Sequence, residues 1–179
     1  MTATAHFIEE CRDVCHSADY SFLHFGSSDN ISQLKIFFET VNPQVAPTEV
    51  HPCIPIVQQL WPIMDSLADR VGAIDDVARS LASCWRSIIV TYRTHYAPLL
   101  PVTMSRLIKS FEQSGLGQYL WVSGRVVREF GESNPIPTLQ FVEGLSVSMW
   151  QVLQKYAGQF NEIPDGKTFE ISLSFAGFI

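Results

Sequence analysis

The chain has 179 residues, of which 46% are apolar, enough for the core of one ordinary domain and too many for intrinsic disorder. Twelve Lys and Arg stand against eighteen Asp and Glu, a formal net charge of −6, so direct nucleic-acid binding would work against the field of the whole chain. Charged residues make up only 17%, below the roughly quarter to third of a typical free-standing surface, so part of this surface is expected to meet a partner.

No apolar run approaches the roughly 18 to 20 residues of a bilayer span. The start, Met1 to Glu10, also lacks the basic and apolar blocks of a signal peptide. The expectation is an intracellular chain without membrane contact, in which Cys11, Cys15, Cys53 and Cys84 are reduced thiols.

From Ile31 onward the sequence reads as helices between short Pro- and Gly-marked breaks. Ile31–Glu39 is a short apolar helix ended by Asn42-Pro43 and Ala46-Pro47, because the residue before a proline is pushed out of helical space. Val57, Leu60, Trp61, Met64, Leu67 and Val71 recur at three- and four-residue steps on a helix starting near Pro52, with Pro62 inside it. A helix that begins after Gly72, near Ile74, and runs to about Arg93 carries Asp75 and Asp76 in its first turn and an apolar stripe of Val77, Leu81, Cys84, Trp85, Ile88 and Tyr92. Pro101 opens a helix that ends at Gly115. Leu116–Phe130 forms the next one, burying Tyr119, Leu120, Val126, Val127 and Phe130 and closed by a left-handed Gly131. A last helix follows Pro135 and Pro137 and presents Leu139, Val142, Leu145, Met149, Val152, Leu153 and Tyr156 on one face.

These helices pair with an average spacing of about 40 residues, the period of HEAT and armadillo-type repeats. The expected fold is all-α, an α-solenoid of about two and a half HEAT-type hairpins over residues 31–157, with residues 1–30 and 158–179 unplaced. A closed helical bundle is the alternative that periodicity leaves open. In the tail, Phe169, Ile171, Leu173 and Phe175 alternate with polar residues and read as a strand.

The ordered set His51-Pro52-Cys53, Leu60-Trp61-Pro62-Ile63, Ala97-Pro98-Leu99-Leu100-Pro101 and Val127-Arg128-Glu129-Phe130-Gly131, preceded by Leu34 to Phe38 and Asn42-Pro43, resembles the nuclear import receptors of the transportin-SR type. The match covers roughly residues 31–157. These receptors are importin-β-like karyopherins built from HEAT repeats, and the resemblance implies protein cargo, Arg-Ser-rich or phosphorylated, together with Ran-GTP and nucleoporins as partners of the full-length parent. It also implies shuttling between cytoplasm and nucleus. Family members are several times longer, so the likeness is to a central stretch of a superhelix. The Ran-binding arch and the arginine-bearing helix that grips phosphorylated cargo have no counterpart here. The chain is accordingly expected to be a truncated, alternatively spliced or mispredicted product of a longer receptor. A free-standing helical-repeat adaptor that binds protein partners without Ran is the alternative.

No catalytic constellation is present: there is no Gly-x-Ser-x-Gly, P-loop, Gly-x-Gly-x-x-Gly after a strand or His-Glu-x-x-His, and no enzyme, cofactor or metal site is expected. Cys11 and Cys15 with His6, His16 and His24 lack the two tight ligand pairs of a structural zinc site. His51 and His95, at helix boundaries, read as capping or loop residues, and Trp61, Trp85, Trp121 and Trp150 as packing between hairpins. The candidate partner-binding face is a row of arginines. Arg79, Arg86 and Arg93 are seven apart and drift only about 20° per step, so they share the side of their helix opposite the apolar stripe. Arg125 and Arg128 on the next second-of-pair helix extend the row, with Arg106 and Lys109 expected on the outer surface. In a solenoid the second helices line the concave side, where such a row would meet an acidic or phosphorylated partner; an ordinary solvated helix face is the alternative reading of the same row.

Overall fold

A computed structural model describes residues 20–43, 45–46 and 49–156 of the chain. The alternating segment from Phe169 to Phe175 and the grouping of Cys11, Cys15, His6, His16 and the His24 side chain lie outside the described residues.

Helix α1 spans Tyr20–Thr40. It starts well before Ile31, where apolar periodicity begins, because Tyr20 to Asn30 contains one glycine and no proline to stop a helix. Asn42-Pro43 ends it, as anticipated. Helix α2 spans Ile54–Val71, with Pro55 in its first turn and Val57, Leu60, Met64, Leu67, Ala68 and Val71 buried. Pro62 lies within this helix at an exposed position, where its missing N–H leaves no polar group stranded in the core. Helix α3 spans Asp75–Tyr92 and places Asp75 and Asp76 in its first turn. Ten of its residues are buried, Trp85 and Ile88 among them. Arg93 ends it in a non-helical conformation with φ 40°.

The chain divides into two compact units, the first ending at Tyr96. In this first unit α3 is the hub, packed by α2 as its hairpin partner and by α1 on another side. Trp61 and Trp85 join α2 to α3 with ring centroids 5.9 Å apart. Phe38 of α1 meets Tyr92 of α3 edge-on at 6.0 Å, and Ser87 donates to Glu39 across the same interface at 2.7 Å. In a helical-repeat array second helices stack on second helices, so α1 stands where the second helix of a preceding hairpin would stand.

The second unit begins at Ala97, within a 3-10 segment, Arg93–Leu99, that leads into α4, Leu100–Ser114. Gly115 closes α4 in the left-handed region at φ 67°. Helix α5 spans Gly117–Phe130 and α6 spans Pro135–Tyr156, and α4, α5 and α6 each pack against the other two. Gly131 does not adopt the left-handed closure expected of it: its φ of −56° continues the helical turn. Asn134 N–H donates to Phe130 at 2.7 Å and Thr138 N–H to Asn134 at 3.1 Å, so the chain turns directly into α6. Glycine is needed there for another reason, since a Cβ would stand 2.7 Å from the Val127 carbonyl oxygen.

The buried stripe of α6 also departs from the expected one. Thr138, Phe141, Leu145, Ser148 and Val152 face inward, while Leu139 is 60% and Trp150 62% exposed. Ser148 donates to Glu112 of α4 at 2.6 Å, and Gly144 lets Ile108 of α4 come close. These contacts set the rotation of α6 against the simple sum of apolarity.

The fold is all-α, with helical hairpins as its repeating unit. Among the described residues there is no strand, and no helix is long and apolar enough to cross a membrane.

Candidate partner-binding surface

So much of α3 is buried that only a narrow strip faces solvent. Arg79 is exposed on this strip and Arg86 is partly exposed one heptad on, as the seven-residue spacing requires. Arg79 reaches back to Asp75 one turn away and to Asp76 at 4.0 Å, so much of its charge is offset within the first turn of its own helix. Arg93 is exposed but leaves helical geometry. Its side chain therefore departs from the line that strict helical continuation would give.

In the second unit Arg125 forms an ion pair with Glu129 on α5 and is largely buried, with 20% of its side chain exposed. Arg128 is exposed at the solvent-facing side. Trp121 is 53% exposed, four and seven residues before these arginines, and so lies along the same side of the helix. This exposed indole was expected between hairpins, as was Trp150. The buried positions of α5, Tyr119, Leu120, Val122, Ser123, Val126 and Phe130, cover the opposite side and leave Trp121 outward. An exposed tryptophan beside arginines is the composition of energetic anchors in protein interfaces.

Arg106 departs from expectation in the other direction. It is buried at 6% exposure on α4, near Tyr119 of α5. Burial pushes the Tyr119 hydroxyl up to about 12, while Ser110 and the Arg106 charge act against that shift. This is an internal polar contact, which removes Arg106 from any outer surface. Lys109 is exposed.

Neither His51 nor His95 stands in an acid–base arrangement. His51 is buried and its Nδ1 accepts from the Cys53 N–H at 3.2 Å, a turn-stabilising role at the start of α2. Cys53 and Cys84 are buried thiols, neither of them in a disulfide. Among the described residues no group of three or more His, Cys, Asp or Glu is placed to hold a metal ion. The exposed strips of α3 and α5 present guanidinium groups and one indole to solvent.

Helical hairpins arranged in this way define a helical-repeat protein of the α-solenoid class. Residues 51–161 match the family model of the fourth TPR domain of Transportin-3 and Importin-13, and the chain belongs to that family of karyopherins, the transportin-SR type. HEAT and TPR both denote stacked helical hairpins. A solved structure of Importin13 in its cytosolic state shares the fold with a TM-score of 0.76 at 16% sequence identity, over 88% of this chain and 18% of that one. An uncharacterized protein of Schizosaccharomyces pombe is 34% identical over 104 residues, 58% of this chain and 11% of its own length. The mRNA transport regulator MTR10 of Saccharomyces cerevisiae is 27% identical over 114 residues, 62% of this chain and 12% of its own. The chain thus spans a small part of the length of the relatives it matches.

Proposed function

We propose that this chain serves as part of a nuclear import receptor of the transportin-SR type, contributing helical-repeat surface to the binding and nucleocytoplasmic transport of protein cargo. The match of residues 51–161 to a domain of Transportin-3 and Importin-13 carries this reading. In this role the solvent-facing strips of α3 and α5, with Arg79, Arg86, Arg93, Arg128 and Trp121, meet acidic or phosphorylated segments of cargo by charge-assisted hydrogen bonds, while Arg125 stays held by Glu129. Ran-GTP and nucleoporins act through the full-length parent, which shuttles between cytoplasm and nucleus. The protein works by binding and carries out no covalent chemistry.

The test has two stages. An antibody against residues 74–93 should detect, in a cell extract, a band several times larger than 20.1 kDa. Cargo captured by that parent should be released by Ran-GTP. Capture that persists in Ran-GTP, or a native product of 20.1 kDa, would favour an adaptor that binds partners without the GTPase.

A further inference from the structure

The connection between α1 and α2, residues 41–53, is fastened at both ends to Tyr92, the last residue of α3. At one end the Tyr92 hydroxyl donates to the Val41 carbonyl at 3.2 Å and approaches that of Phe38 at 3.5 Å. At the other, the His51 ring lies against the Tyr92 ring with centroids 4.6 Å apart. The Cys53 thiol donates to the same Val41 carbonyl at 3.6 Å and ties the two ends together. His51 is 2% exposed.

The hydrogen bonds of His51 define its charge state. Nδ1 accepts from the Cys53 backbone N–H, so the proton of the neutral ring sits on Nε2. That Nε2 is buried without a well-formed hydrogen bond, and the Pro43 carbonyl is the backbone acceptor that acts on the ring. Adding a second proton places it on Nδ1, where it faces the Cys53 N–H donor, and the bond that starts α2 is lost. The new charge would be buried, and His95, on the 3-10 segment, has its ring 5.5 Å away.

We propose that His51 is an acid-sensitive latch: its neutral imidazole fastens the α1–α2 connection and the start of α2 to the end of α3, and protonation releases them. The titratable groups facing it are Tyr92 from α3, His95 from the 3-10 segment and Cys53 in its own turn. On α1, Glu39 is engaged by Ser87 and Lys35. Burial, and then the nearby His95, hold the His51 imidazole below its ordinary value, against a smaller opposing pull from the Pro43 carbonyl. The sign follows. Between the closed-state value and the ordinary one the open form binds more protons, so closure is fully stable above about pH 6.5 and weakens as pH falls through that window. Each unit of that difference multiplies the opening constant tenfold once His51 is fully protonated.

Amide hydrogen exchange on the purified 179-residue chain tests this, read between about pH 7.5 and pH 5.5 with intrinsic rates divided out. Amides of Val41, Asn42, His51 and Cys53 should exchange faster in acid while those of α5 do not. His51→Asn keeps an acceptor for the Cys53 N–H without a titrating ring and should abolish the response. His95→Gln should raise the His51 midpoint in an NMR titration and shrink the response, which keeps the test decisive if His51→Asn fails to fold. Exchange independent of pH in the wild type, an acid response retained in His51→Asn, or a His51 midpoint unmoved by His95→Gln would overturn the proposal.

Discussion

At the scale of single residues, Trp85 anchors the first unit. It is fully buried on α3 with the Trp61 ring stacked obliquely at 30°. Truncation to alanine removes this area and leaves a cavity, so Trp85→Ala should cost about 3–5 kcal/mol, read as a lowered urea midpoint. The position of Trp85 was legible in the sequence because it falls at a helical step from Leu81 and Ile88. The outward side of Trp121 was not, since an aromatic residue near an apolar stripe is assigned to the core by default. The two differ only in which face their helix turns to its neighbours. Arg106 was missed for the complementary reason: an arginine is buried only where the fold brings compatible polar groups, and Tyr119 comes beside it only once α4 and α5 pack.

At the scale of elements, α2 to α5 followed from apolar periodicity with boundaries fixed by proline, glycine and first-turn carboxylates. Gly115 takes the left-handed closure, and Gly131 is confined by the Val127 carbonyl instead. Helix α6 shows where periodicity fails. Its apolar residues are spread over more than one face, and Thr138 and Ser148, polar in isolation, turn inward because Phe130 and Glu112 supply acceptors. Two substitutions separate the faces. Leu145→Ala should cost about 2–5 kcal/mol, whereas Leu139→Ala should change stability by less than about 0.5 kcal/mol. Thermal or chemical denaturation of both variants checks this. Equal losses would return α6 to the orientation expected from its apolar stripe.

At the scale of the whole molecule, the class of fold was legible because a helical repeat writes its period into the sequence, and the family was legible from the order of a few proline-containing motifs. The placement of the candidate residues was only partly so. Heptad spacing identified the strip of Arg79 and Arg86, but the ion pairs with Asp75, Asp76 and Glu129, and the break at Arg93, depend on local geometry that spacing does not encode. The low charged fraction has a visible counterpart in exposed Ile136, Leu139, Trp150 and Leu153 along α6. Large apolar side chains left outward on one helix face are a common mark of contact surface.

The central claim is that the strip along α3 takes part in capturing cargo. The most direct measurement compares binding of a phosphorylated Arg-Ser peptide by the full-length receptor with and without Arg79→Glu, Arg86→Glu and Arg93→Glu, with circular dichroism to verify the fold. Losing even one charge-assisted hydrogen bond of about 1.5 kcal/mol weakens binding roughly tenfold, so the account predicts a loss of at least about that size. Unchanged capture by a folded variant would contradict it.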